Sequence, residues 1–185
     1  ANNLATAGIA TSGAPSPSRV VVVDDEPTLR RTIARALSQH GFEVTQCEGG
    51  AEAIAHIETH DTDVMLIDLM MPGIGGLEVL RAVKAVRPDV ECVIMTAYSR
   101  IEDAVTAVRE GAYDFLTKPF ASFEAVAITA SKAAERRRLI ARTRRLEEEL
   151  ERGGAFGELI GGSSAMRAVY RLLEGVASAS STVLI

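Results

Sequence analysis

Five side chains, far apart along this sequence, have the types that phosphoryl chemistry needs. Asp24 and Asp25 follow the apolar run RVVVV, and Asp68 closes a second run, DVMLID. Thr96 closes a third, ECVIMT, and Lys118 lies in YDFLTKPF. Three carboxylates held close together repel unless a cation offsets them. A hard, oxygen-seeking ion such as Mg2+ suits such a set, leaving room for water and a phosphate oxygen. One carboxylate is then placed to attack phosphorus as a nucleophile. A lysine ammonium supplies a second positive charge, and a threonine hydroxyl donates to a phosphoryl oxygen. Taken singly, each residue has a plainer reading. An Asp after a strand often caps a helix, Lys-Pro often marks a turn, and Thr is a β-former. The pattern gains force only if one fold brings all five together.

The elements needed for that are readable. Val20–Val23 is a continuous apolar run, as in a strand buried on both faces. Pro27 suits a helix's first turn, with Asp25 the expected cap, and Leu29, Ile33, Ala36 and Leu37 mark its apolar face. That helix is expected to stop at Gly41. Strands follow at 42–47, 63–68, 91–97 and 113–119, alternating with helical patterns at 51–60, 77–86 and 101–111. A last helix opens near Ser122. Five β-α units in about 115 residues predict an α/β fold with a doubly wound parallel sheet, whose strand ends gather on one ligand-binding edge.

From Phe123 to Arg152 there is neither Gly nor Pro, which predicts a helix of about 45 Å at 1.5 Å per residue. Leu139, Thr143, Leu146 and Leu150 follow coiled-coil spacing, but the seam runs back into Arg136 and Lys132. It predicts either a short dimerising coiled coil or a solvated linker. Charge marks the same boundary. Residues 18–131 hold 18 acids and 10 bases, whereas 132–152 hold 5 acids and 8 bases. The six arginines of RRRLIARTRR face Glu147, Glu148, Glu149 and Glu151 nearby and lack interleaved aromatics. They read as a charged helix face, not a nucleic-acid site. After Gly153-Gly154, Ser163 or Ser164 is placed to cap a further helix, and STVLI reads as a strand start. The expected organisation is a tail over 1–18, a domain over 19–131, a helical linker over 132–153, and the first part of a second domain over 154–185.

No apolar stretch approaches the roughly 20 residues of a membrane helix, and residues 1–18 lack a secretory pattern. The expected location is the cytoplasm. Cys47 and Cys92 read as buried small hydrophobes. His40, His56 and His60 form no ligand pattern with them.

VVVDDE, DLMMPGIGGLEVL, the MTA triplet and FLTKPF together resemble the signatures of bacterial response-regulator receiver domains, over about residues 18–130. The resemblance implies a flavodoxin-like (βα)5 sheet in the order 2-1-3-4-5. It implies Asp68 as phosphoacceptor, and Asp24, Asp25, Asp68 and the Met70 carbonyl as Mg2+ ligands. Thr96 and Lys118 would contact the phosphoryl group, Phe115 would be the switch aromatic, and the Lys118-Pro119 bond would be cis. The implied partners are a sensor histidine kinase and a second copy of the chain. That copy would dock through the linker helix or the face made by the fourth helix, fifth strand and fifth helix. Met70 and Tyr98, each two residues beyond a site residue, are placed to shield the acyl phosphate from water. FGELIGGSSAMRAVYRLLEGVASASSTVLI is similar to the opening of the AAA+ domain in sigma-54-dependent (NtrC-like) activators. It implies a parent that binds ATP, DNA and sigma-54 RNA polymerase. No GxxxxGK loop is present in these 185 residues, so no ATPase activity is expected of them.

Three alternatives stay open. An aspartate-nucleophile phosphatase would need a second acid two residues after the nucleophile, where this chain has Met70. A constitutive dimerisation module would not use Asp68 and Lys118. A receiver with a different output would differ only in what it controls.

Overall fold

The structure is a computed structural model that describes residues 16–97 and 101–153, with isolated positions between 155 and 169; the side chains at 101–104 and 148–160 are not described. Tyr98, residues 1–15 and the expected strand at 181–185 lie outside the described residues.

Five parallel strands are ordered β2-β1-β3-β4-β5. They are β1 (Arg19–Val23), β2 (Glu43–Cys47), β3 (Val64–Asp68), β4 (Glu91–Thr96) and β5 (Asp114–Thr117). The helices are α1 (Pro27–Gln39), α2 (Gly50–Thr59), α3 (Gly76–Val86), α4 (Ile101–Arg109) and α5 (Phe123–Gly153). This is the flavodoxin-like, doubly wound order expected.

The strand sequences explain the two-sided core. Successive side chains point to opposite faces, so the all-apolar β1 feeds both. Val21 and Val23 join Met65, Ile67, Leu80, Val83 and Ile57 beneath α2 and α3. Val20 and Val22 join Leu66, Met95, Ile33, Leu37, Val126 and Ala130 beneath α1 and α5. β3 and β4 are buried at every position, whereas the edge strands β2 and β5 are mostly exposed.

Two details of α1 differ from expectation. Its N-cap is Glu26, not Asp25, and no side chain caps it. A residue before proline is pushed to extended backbone, so Pro27 makes Glu26 the boundary. The buried stripe is Arg30, Ile33, Ala34 and Leu37, with Ala36 only half-buried. The helix is therefore rotated slightly from the face predicted through Leu29 and Ala36. Gly41 has φ +82° just beyond the helix, as a left-handed terminator should.

The chain divides into two compact units, residues 1–134 and 135–185. In the second, Ala155–Phe156 and Leu159–Ile160 pair as a short antiparallel ribbon, β6-β7, which periodicity did not reveal. The Ser163 hydroxyl accepts the Met166 N–H at 3.2 Å, the capping bond expected of one of the two serines.

Candidate functional site

Parallel pairing aligns the C-terminal ends of the strands. Val23 lies opposite Ile67, Asp68 opposite Met95, and Thr96 opposite Thr117. Two further bonds carry this alignment past the strand ends. Leu69 N–H donates to Met95 O at 2.8 Å, and Lys118 N–H donates to Thr96 O at 2.7 Å. Asp24, Asp25, Asp68, Thr96 and Lys118 consequently share one edge of the sheet.

Carboxylate oxygens of Asp24, Asp25 and Asp68 all lie within 4.8 Å of one another, the one such cluster of potential metal ligands among the described residues. Asp24 and Asp68 are buried and Asp25 is exposed. The Lys118 ammonium donates to Asp24 Oδ2 at 2.7 Å and lies 3.0 Å from Asp68 Oδ2. Asp24 Oδ1 accepts the Glu26 N–H at 2.9 Å. Asp25 stands clear of any capping role, which leaves its carboxylate open to the site. Met70 N–H makes a long 3.5 Å contact to Asp68 Oδ1, while the Met70 side chain is 66% exposed. Thr96 is buried at the end of β4. Phe115, on β5 opposite Ile94, is 41% exposed. The Lys118-Pro119 bond is cis.

Burial pushes the Asp68 carboxyl above its ordinary pKa, and the neighbouring Asp24 charge adds to this. The Lys118 hydrogen bond and the Met70 N–H oppose it. Burial pulls Lys118 down, but its bonds to Asp24 and Asp68 outweigh that and hold its ammonium above the usual range. One ammonium against three carboxylates leaves excess negative charge at a partly open edge. The donor set is all oxygen, with no imidazole or thiolate, which fits Mg2+ better than a soft or borderline metal.

Two contributors were not foreseen. Arg30 is buried, donates from Nη1 to the Asp24 carbonyl at 2.6 Å, and reaches Glu48 Oε1 from Nη2 at 3.1 Å. A signal existed: Arg30, Ile33, Ala34 and Leu37 keep the i, i+3, i+4, i+7 spacing of a buried stripe. Gly76 is the second. A Cβ there would sit 2.3 Å from the Asp68 carbonyl oxygen, so glycine lets α3 start against the backbone of Asp68. The cysteines play no part; burial pushes both thiols up to about 12.

Residues 20–130 match the family described as Response regulator receiver domain. The chain belongs to that family. It is 36% identical over 166 residues to the DNA-binding transcriptional regulator NtrC of Salmonella typhimurium, covering 90% of this chain and 34% of that protein. It is 33% identical over 174 residues to the C4-dicarboxylate transport transcriptional regulatory protein DctD of Rhizobium meliloti, covering 94% and 37%. The chain thus spans about a third of the length of these curated relatives. Among solved structures, NtrX from Brucella abortus in complex with ATP superposes with a TM-score of 0.66 at 31% identity, covering 89% of this chain and 35% of that one. The Francisella response regulator 1452 receiver domain gives 0.61 at 28% identity, covering 64% and 98%. The receiver is therefore homologous to those of NtrC- and DctD-type response regulators of two-component systems. No described helix is long and apolar enough to cross a membrane.

Proposed function

We propose that this receiver is a phosphorylation switch in which Asp68 accepts a phosphoryl group from the phosphohistidine of a sensor kinase. The observation that carries the reading is the Asp68 carboxylate held 3.0 Å from the Lys118 ammonium, beside Asp24 and Asp25. An Asp68 oxygen attacks phosphorus, the P–N bond to the donor imidazole breaks, and that nitrogen keeps the electron pair and takes a proton. Lys118 stays against the developing negative charge. Thr96 offers its hydroxyl to a phosphoryl oxygen. Asp24, Asp25, Asp68 and the Met70 carbonyl would hold Mg2+, which when bound supplies positive charge for the phosphoryl oxygens.

The switch then works through packing. Drawing Thr96 toward the phosphoryl group empties space that Phe115, now half out in solvent, moves in to fill. The surface of α4, β5 and α5 changes with it, a biased two-state equilibrium. Val105, Val108, Phe115 and Ile128 are exposed on these elements, which supports a contact surface there. Leu139, Ile140 and Leu146 are exposed along α5, which supports a helical dimer. The receiver domain is assigned to 19–131, the linker to 132–153, and the start of an AAA+ domain to 154–185. The whole protein would act in the cytoplasm, binding ATP, DNA and sigma-54 RNA polymerase, as its resemblance to the sigma-54-dependent activators suggests.

Intact-mass analysis after incubation with acetyl phosphate tests the reading. One hydroxylamine-labile phosphoryl group, as expected of an acyl phosphate, is expected in the presence of Mg2+ and none with EDTA. An Asp68→Asn protein that labels as fully as the wild type would refute the assignment.

A further inference from the structure

Arg30 is one of the four side chains that α1 buries, beside Ile33, Ala34 and Leu37. Its Nε has no hydrogen-bond partner among the described residues. The side chain of Glu48, its ion-pair partner, is 81% exposed. A buried donor left unmade is costly, and a well-packed apolar side chain commonly stabilises a core at least as well as a buried charge. Packing alone therefore does not account for an arginine at this position; the groups to which its fork is directed do.

Nη1 donates to the Asp24 carbonyl at 2.6 Å and Nη2 to Glu48 Oε1 at 3.1 Å. A guanidinium is rigid and planar, so the bond to one acceptor fixes the approach to the other. Asp24 N–H in turn donates to Cys47 O at 3.3 Å, and Glu48 N–H donates to Glu52 Oε2 at 2.7 Å. The main chain of Asp24 is thus held on both sides against the turn between β2 and α2. Its carbonyl oxygen lies in the planar peptide that joins Asp24 to Asp25. Fixing that plane restricts the backbone rotations on either side of it, and with them the directions in which the two carboxylates leave the chain. Glu26 N–H, donating to Asp24 Oδ1 at 2.9 Å, closes the same turn.

We propose that Arg30 is a positioning residue for the Mg2+ site: by pinning the peptide between Asp24 and Asp25 to Glu48, it holds both carboxylates aimed at the ion. This rests on reading Asp24, Asp25 and Asp68 as the metal-binding set. Groups that orient metal ligands change affinity by about 10–100-fold when lost. Arg30 grips main chain rather than a carboxylate, so its loss falls on ion binding, and phosphorylation suffers where the ion is limiting.

Arg30→Met tests this in the full chain, with Mg2+ titrated and the amide resonances of residues 24–26 and 68–70 followed by NMR. The Mg2+ Kd should rise at least about tenfold, and the shortfall in phosphorylation by acetyl phosphate should close as Mg2+ is raised. Arg30→Lys, which keeps a donor but not the fork, should fall between. Without metal, hydrogen exchange at the Glu26 amide should speed up relative to that at Leu66 in the core, whereas a merely structural loss would speed both alike. Glu48→Ala removes an exposed partner and leaves the core untouched; it should raise the Kd about threefold. Wild-type Mg2+ affinity in Arg30→Met, or in Glu48→Ala should Arg30→Met not fold, would overturn the proposal, as would equal acceleration at Glu26 and Leu66. If the wild type itself shows no Mg2+ shifts at Asp24, Asp25 and Asp68, the reading of the site falls with it; if it shows them and is phosphorylated on Asp68, only the role of Arg30 falls.

Discussion

Gly76→Ala is the sharpest structural perturbation of the site that leaves its charged groups intact. The new Cβ would lie 2.3 Å from the Asp68 carbonyl oxygen and 2.8 Å from the Leu69 Cα. Ordinary contact begins near 3.5 Å, so backbone must move by about 1 Å. Both obstacles are main chain, so rotamer changes give no relief. Overpacking of this kind costs about 1–3 kcal/mol, here toward the upper end. Replacing a helical glycine returns about 0.5–1 kcal/mol. The net loss is about 2 kcal/mol, or roughly 8 °C in Tm for a domain of this size. Gly75→Ala is the control, because its Cβ meets only the Leu69 carbonyl at 3.7 Å; as the N-cap of α3 it should lose only about 0.5–1 kcal/mol for the poorer cap, less than Gly76→Ala. Thermal unfolding by far-UV circular dichroism reads both. Because the displaced oxygen belongs to Asp68, Gly76→Ala should also slow phosphorylation by acetyl phosphate, and Gly75→Ala should not. Equal Tm values for the two variants would refute the packing argument.

Lys118→Met should destabilise the metal-free domain by about 3–5 kcal/mol, since it strips buried Asp24 of its cation; chemical denaturation without divalent ions measures it, and Mg2+ should restore part of the loss. Adding Mg2+ at about 100 times its Kd should stabilise the wild type by about 2.7 kcal/mol, and Asp68→Asn should lose most of that gain; an unchanged gain would remove Asp68 from the ion's ligands. The pKa of His40 is raised by its bond to the Ala36 carbonyl, then by Glu124. A raised histidine stabilises the fold fully below its unfolded value near 6.5 and loses that contribution as pH rises through the folded value. His40→Gln should therefore narrow its Tm gap to wild type between mildly acidic and mildly alkaline pH.

The sheet was legible because its central strands are short and largely apolar, with Pro and Gly punctuating the chain between elements. A two-sided core leaves no other reading for Val20–Val23 or Val64–Ile67. The acid and lysine positions were legible for a related reason: they sit where apolar runs stop, and parallel topology gathers those stops on one edge. Arg30 was obscured because an arginine reads as solvent-facing until its partners, a backbone carbonyl and Glu48, are known. Gly76 was obscured because nothing local distinguishes it from Gly75; the difference is the approach of Asp68 from another element. The Asp25 cap failed for a local reason, the extended backbone that Pro27 imposes on Glu26. The β6-β7 ribbon escaped notice because two-residue strands carry no period.

The central claim is that Asp68, rather than Asp24 or Asp25, is the oxygen nucleophile of a site whose charge is balanced by Lys118 and a bound cation. A structure of the full chain with Mg2+ and beryllofluoride tests it most directly. The account predicts beryllium on an Asp68 oxygen, with the Lys118 ammonium and Thr96 hydroxyl on its fluorides. It also predicts the ion among Asp24, Asp25, Asp68 and the Met70 carbonyl, and Phe115 turned inward. Beryllofluoride bound to Asp25, or an ion lodged away from all three carboxylates, would contradict it.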